Sequence, residues 1–233
     1  MVEKTTELTQ GEVQKMPRLS KSKYISGLQC HKRLYLDIYQ PYLATPPDAG
    51  TRAILDMGTD VGELARRRFA GGRLVTAGYR QTETALAQTA ELMADESVPA
   101  IYEAAIMADG VLIRVDILER VREEDGAPAG WRLIEVKSST KVKDVHLDDL
   151  ALQCYVLVGA GLNIVSCHLM RINTAYTYAG GEVDLNELFA IEELSSIVLE
   201  RQVTVPDRIA AMKAMLLSPV APVIDPDRHC FTP

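Results

Sequence analysis

Asp116, Glu135 and Lys137 are the residues whose types and spacing best suit chemistry. Two carboxylates that face each other repel unless a cation lies between them, and an all-oxygen donor pair suits Mg²⁺ or Mn²⁺. A lysine beside such a pair can orient a metal-bound water or neutralise charge developing on a phosphoryl group. No nucleophilic side chain is then required. A bare Glu-Val-Lys also fits the solvated face that antiparallel sheets commonly turn to water, so the elements carrying the three residues have to separate the two readings.

In IYEAAIMADGVLIRVDILERV, Asp109-Gly110 is a turn signal between two apolar strands. Period-two alternation over 111–118 sends Val111, Ile113, Val115 and Ile117 to one face and Leu112, Arg114, Asp116 and Leu118 to the other. WRLIEVKSS predicts a third strand, with Leu133, Glu135 and Lys137 on one face and Ile134 and Val136 opposite. Folding this strand back about the centre of the 122–130 loop puts Asp116 within one residue of Glu135. Gln153, at the edge of an apolar helical stripe next to Leu150 and Leu157, can face the same point, as can Glu103 on the preceding strand. Lys141, Lys143 and His146 would line the approach of a phosphate backbone.

The remaining elements follow from periodicity. Residues 1–17 are polar and aperiodic and read as a flexible tail; 18–233 read as one domain. Ser20 is placed to cap a short helix, and a second begins near Cys30 with Leu34, Tyr35 and Ile38 on its apolar face. Apolar residues from Ile54 to Phe69 predict a helix ended by Gly71-Gly72. A short strand near 73–77 and an Ala-rich helix over 82–94 precede the hairpin. An amphipathic helix over 146–159 leads to a strand over 163–172, a hairpin or loop, an N-cap at Asp184, and a mostly helical remainder to about Leu217. This order describes an α/β fold, a mixed central sheet flanked by helices.

The 47% hydrophobic and 24% charged content is that of a globular chain and argues against disorder or a disulfide scaffold. No apolar run approaches the roughly 20 residues of a membrane span, the first twenty residues lack a signal-peptide core, and the four scattered cysteines suit a reducing compartment. The cytoplasm is the expected location. A net charge of −7 weakly opposes nucleic-acid binding, although Lys21, Lys23, Lys32 and Arg33, and Arg66 to Arg68, form local basic patches.

VLIRVDIL, then IEVKSS, then a helix with Gln153 and Tyr155 resembles the motif series of the PD-(D/E)xK nucleases, most closely RecB-type exonuclease domains. GLQCHKRLYL is similar to the opening of the CRISPR-associated, iron–sulfur-containing branch, and a bacterial family of the same clan shares a GLQC-like start and an EVKSSTKVK-like strand. The likeness spans about Leu19 to Cys230. It implies a restriction-endonuclease-like core, Asp116 and Glu135 as metal ligands with the Val136 carbonyl, Lys137 as the catalytic lysine and Gln153 as an active-site residue. Where the family often has an early histidine this chain has Gly62 with Glu63 beside it, so Glu63 is the expected substitute ligand. The family tyrosine four residues after the glutamine is Leu157 here, and Tyr155 comes two residues after Gln153. Tyr155, Lys141 and Lys143 are the implied nucleic-acid contacts.

The iron–sulfur branch holds a [4Fe–4S] cluster with four thiolates. Cys30 and Cys230 match its outer landmarks, whereas Cys154 and Cys167 lie on an apolar stripe and inside a strand, as buried structural thiols do. The expectation is therefore a domain shortened at its C-terminus, or part of a longer protein with other domains. The implied activity is Mg²⁺- or Mn²⁺-dependent hydrolysis of DNA, as an exonuclease or end-processing enzyme on single strands or duplex ends. The alternative is a catalytically silent nuclease-fold module that binds nucleic acid or scaffolds a larger complex.

Overall fold

A computed structural model of the chain describes residues 17–225 and 227–230. All of the expected tail except Pro17 lies outside the described residues, as does the side chain of Cys230.

The hairpin expected around Asp109-Gly110 is present. Strands β1 (Leu19–Ser20) and β2 (Arg73–Leu74) are short; β3 (Ala100–Ala108) and β4 (Val111–Arg122) pair antiparallel from Ala108↔Val111 to Ala100↔Glu119. Asp109 and Gly110 both have positive φ, 46° and 65°, which a two-residue turn matched to strand twist demands. β5 (Pro128–Lys137) is antiparallel to β4, β6 (Ile164–Ile172) is parallel to β5, and β7 (Phe189–Glu193) is antiparallel to β6. With β2 parallel to β3, the described strands form one mixed sheet in the order β2-β3-β4-β5-β6-β7, and β1 pairs β4 alone. The helices are α1 (Lys21–Gln29), α2 (His31–Tyr39), α3 (Ala49–Arg66), α4 (Thr82–Ala94), α5 (Asp144–Gly159), α6 (Leu185–Leu188), α7 (Ser195–Gln202) and α8 (Val205–Leu216). The α/β class read from the sequence is the observed one.

Two apolar layers hold the sheet. The larger covers one face with side chains from α1, α2, α5, α7 and α8, including Leu34, Leu150, Leu157 and Ile209. The smaller packs Val61 and Ala65 of α3 against Tyr102, Ile117, Ile134 and Met170 on the other face. Val111, Ile113 and Val115 join the larger layer but Ile117 joins the smaller one, so the expectation that all four share a face is corrected. Alternation slips at Asp116. The slip coincides with Glu103, which has φ 55° and is skipped in the ladder between Tyr102↔Ile117 and Ala104↔Val115. A left-handed non-glycine residue costs roughly 1–3 kcal/mol and is tolerated where the surroundings over-determine it.

Other differences have equally local causes. Phe189–Glu193, inside the stretch expected to be helical, is a strand because it completes the β6 edge, and pairing context overrides the helix preference of its Ala and Glu residues. Of the apolar residues expected to line α3, Ile54, Leu55 and Met57 are exposed, while Val61 and Ala65 are buried; only the C-terminal half of this helix lies on the sheet. α5 buries more than a stripe, since His146, Asp149, Gln153 and Val156 are enclosed along with its apolar residues. It fills the crossover between parallel β5 and β6, packed by the sheet on one side and by α1 and α7 on others.

Candidate active site

The site forms where the sheet splays. β4 and β5 are paired up to Ile117↔Ile134, a register that, continued by one step, sets Asp116 opposite Glu135, within the one residue that the loop symmetry allowed. There the ladder gives way: the Val136 N–H donates to Asp116 Oδ2 at 2.8 Å. Beyond this point the free edge of β4 is taken by β1, through Leu19↔Val111 and Ser20↔Leu112. Ser20 then caps α1, its Oγ accepting from the Lys23 N–H at 3.3 Å, so the first residue of the helix, Lys21, is delivered over the end of β5.

Glu135 is only 1% exposed. Lys21 Nζ donates to both of its carboxylate oxygens at 3.0 Å, Lys137 Nζ to Oε1 at 2.5 Å, and Gln153 Nε2 to Oε2 at 2.7 Å. Asp149 of α5 closes the network, accepting from Lys137 at 2.9 Å and Gln153 at 3.0 Å, with Lys21 3.6 Å away. Gln153 is fully buried and its Oε1 lacks a partner among the described residues. An orphaned acceptor costs about 1–3 kcal/mol, less than its two charge-assisted bonds can return at about 1.5–3 kcal/mol each.

Two ammonium groups thus face two carboxylates, and Asp116 is the carboxylate left over. Burial first, and the neighbouring Glu135 charge second, push its pKa up from 3.8 to about 7 against the pull of Lys21 and Lys137. Glu135 goes the other way: against the burial penalty, Lys137 and Lys21 hold it well below the usual carboxylate range. Lys137 and Lys21 are both raised, because their acidic neighbours outweigh the burial that would lower them. Burial and then Glu135 raise Asp149. Both lysines are therefore permanent cations at neutral pH.

Asp116, Glu135, Val136 and Lys137 open onto a cleft of about 800 Å³ between α3 and the 74–79 segment. Gly58, Thr59, Gly62 and Arg66 of α3 form one wall, and Arg66 Nη2 donates to Glu103 Oε1 at 2.8 Å. Tyr102 fixes this helix end, its hydroxyl donating to the carbonyls of Arg66 and Phe69. The approach is so close that a Cβ on Gly72 would lie 2.1 Å from that hydroxyl oxygen.

Sequence reasoning thus brought Asp116, Glu135, Val136, Lys137, Gln153 and Glu103 to one place, and the structure joins them. Other expectations need correction. Glu63 is exposed and does not line the cleft, where Gly62 and Arg66 face instead; one step along a helix rotates a side chain by about 100°. Tyr155 donates to Asp109 Oδ2 at 3.2 Å, which ties it to the hairpin turn. His146 is buried, its Nδ1 accepting from the Lys143 N–H; burial, then Lys137 and Lys143, push its pKa down to about 4, so it is a neutral cap rather than a phosphate-facing cation. Lys141 and Lys143 are exposed beyond the end of β5.

Cys154 and Cys167 are buried, as expected, and the adjacent Cys154 thiol together with burial pushes Cys167 upward. Cys30 is half-buried, and the C-terminal segment returns to it: Gln29 Nε2 donates to the His229 carbonyl at 2.9 Å and Lys32 Nζ to that of Ile224 at 3.2 Å. Asp149 was missed, and Lys21 was read only as part of a basic patch, not as a partner of Glu135. Asp149 had a readable signal, its i,i+4 spacing to Gln153; Lys21 had none, because the β1–β4 pairing brings it in.

Among the described residues no group of three or more His, Cys, Asp or Glu side chains is close enough to hold a metal ion. The donor set offered is smaller, Asp116 and Glu135 with the Val136 carbonyl. It fits Mg²⁺ or Mn²⁺, hard ions that use one or two carboxylates and fill the remaining positions with water and phosphate. The carboxylate of Asp116, held at one oxygen by the Val136 N–H and left over from the ammonium pairing, suits such a cation.

No family model matches the chain, and no curated protein does. Among solved structures, one described as "Crystal structure of SSO0001" is similar over 89% of this chain and 80% of its own, at 16% identity and a TM-score of 0.34. No helix among the described residues is long and apolar enough to cross a membrane.

Proposed function

We propose that this chain is a Mg²⁺- or Mn²⁺-dependent nuclease of the PD-(D/E)xK type that hydrolyses DNA phosphodiester bonds, working in the cytoplasm on single strands or duplex ends. The observation that carries the reading is the convergence of Asp116, Glu135 and Lys137 on one cleft at the point where β4 and β5 part. The metal, held by Asp116, Glu135 and the Val136 carbonyl, would polarise the phosphoryl oxygen and lower the pKa of a bound water.

The chain's own residues supply the rest. Lys137 keeps its proton across the neutral range, so it acts as a fixed cation that orients the attacking water and stabilises charge on the phosphoryl oxygens, not as a base. Asp149 and Gln153 hold Lys137 and Glu135 in register from below. Arg66, with Lys141 and Lys143 farther out, offers phosphate contacts despite the acidic whole. The unpaired thiols of Cys30, Cys154 and Cys167 support a reducing compartment.

The test is cleavage of labelled single- and double-stranded DNA with Mg²⁺ or Mn²⁺ by the wild type, Asp116→Ala and Lys137→Ala. Cleavage by the wild type alone is expected; equal cleavage by all three sinks the site. A second reading, a silent nuclease-fold module, is favoured by one feature: both Glu135 oxygens are already engaged by Lys21, Lys137 and Gln153. DNA binding without metal-dependent cutting is its signature. Iron content and visible absorbance of protein purified without oxygen test whether Cys30 and Cys230 hold a cluster with thiolates from elsewhere; colourless, iron-free protein rejects it.

A further inference from the structure

Beside the cleft is a second cavity, of about 380 Å³, which shares Lys21, Tyr79, Glu103, Arg114 and Asp116 with it but not Glu135 or Lys137. The two meet at the surplus carboxylate. The second differs in character. Its floor is small and apolar, formed by Ala85 of α4, Ala105 of β3 and Ile113 of β4. Its rim carries the hydroxyls of Ser20 and Ser22, which lie 3.1 Å apart, and its outer wall is Tyr79.

Tyr79 is an unusual wall. It is 83% exposed, large and aromatic, yet its ring is held over a built support. The Arg114 guanidinium carbon lies 5.1 Å from the ring centroid. Arg114 Nη2 also donates to the carbonyls of Ala77 and Gly78, anchoring the backbone that leads into Tyr79. A cation behind an aromatic ring favours this stacking at about 0.5–1 kcal/mol at an exposed site. The ring otherwise stands largely in water. Arg114 and Asp116 lie two residues apart in β4 and line both cavities, so the support under the Tyr79 ring is carried by the same strand as the Asp116 carboxylate.

We propose that this cavity is a nucleobase pocket that takes the base next to the phosphate bound at Asp116, Glu135 and Lys137, with Tyr79 as its stacking platform. The inference rests on the nuclease reading and adds a requirement to it. A cavity lined by an aromatic ring, small apolar side chains and hydroxyls suits a planar heterocycle with polar edges, and every base has a face to stack, so the pocket selects for a base rather than for a sequence. A base inside it cannot be stacked in a duplex at the same time. The nucleotide adjacent to the cut is therefore unpaired, at a frayed end or in a single strand. Phosphate contacts alone would make no such demand.

The experiment compares binding of two probes, a single-stranded 12-mer and the same-length abasic deoxyribose-phosphate strand, by fluorescence anisotropy in the Lys137→Ala background, where cutting is suppressed. Parent, Tyr79→Ala and Tyr79→Trp are titrated. Because Tyr79 is exposed, its variants should melt with the parent, which a thermal scan checks. Tyr79→Ala should weaken the base-bearing strand by about tenfold, in line with loss of one base–aromatic stack, leave the abasic strand within about twofold, and be rescued by Tyr79→Trp. In the Lys137-intact protein, Tyr79→Ala should raise KM for single-strand cleavage and leave kcat in place. Equal weakening of both strands, or no weakening of either, overturns the pocket. If the Lys137-intact protein cuts DNA while Tyr79→Ala behaves as its parent, the pocket alone falls. If the parent binds neither strand and the Lys137-intact protein cuts nothing, the nuclease reading falls with it.

Discussion

The two flanks of the β4–β5 seam are built on opposite principles. On the α5 flank Glu135, Asp149, Gln153, Lys21 and Lys137 are packed together, with two positive charges set against two negative ones. On the α3 flank Asp116 faces an open cleft, one oxygen tied to the Val136 N–H and its charge left without a matching ammonium. Buried ions are tolerated only when paired and hydrogen-bonded, and the α5 flank satisfies that condition internally. The α3 flank leaves the condition for a ligand to satisfy. On the proposed nuclease reading the closed flank fixes Glu135 and Lys137 in place and the open flank admits metal and substrate at Asp116; variants on the two should therefore fail differently.

Glu135→Ala should produce the largest effect. It strips one carboxylate from two ammonium groups and a buried amide, so it should cost roughly 3 kcal/mol of stability and abolish cleavage; an unchanged urea midpoint would break the distinction between flanks. Lys137→Ala comes next, with Lys21 remaining on Glu135: initial cleavage rates should fall by about 10² or more, with a smaller loss of stability than for Glu135→Ala.

Asp116→Asn should uncouple the two properties. The folded pKa near 7 lies above the ordinary value of 3.8, so between those limits the folded chain holds a proton that the unfolded chain releases. The contribution of Asp116 to stability therefore declines as pH rises from about 4 through about 7. Asparagine cannot ionise and keeps an acceptor for the Val136 N–H. In metal-free buffer the variant and wild type should melt together near pH 4, and the variant should gain on the wild type up to pH 8 while its cleavage is lost. A constant difference across that range would contradict the surplus-charge account. The smallest effect belongs to Glu63→Ala, which should leave rates unchanged and stability within about 0.5 kcal/mol; a large rate loss would return Glu63 to the site.

Much of this site was legible because strands and hairpins encode their geometry locally. Alternation put Glu135 and Lys137 on one face, and the 122–130 loop set the register that brings Asp116 to Glu135. Alternation failed at Ile117, because the left-handed Glu103 and the splayed ladder reset which face each residue meets. Periodicity misjudged the helices in both directions. It credited Ile54, Leu55 and Met57 of α3 with burial they lack, and it gave no place to Asp149 on a helix that is enclosed on most sides.

By itself the sequence determined the elements, the hairpin turn and the residue types at the seam, since backbone preference and side-chain period are properties of neighbours in the chain. Only the tertiary structure decided which charges meet. Lys21 lies 114 residues from Glu135 and reaches it solely because β1 occupies the edge of β4 that β5 abandons; Asp149 arrives because a crossover helix must pack on the sheet it connects. Coulomb energy depends on distance and on exclusion from water, and neither is written in the spacing of residues along the chain.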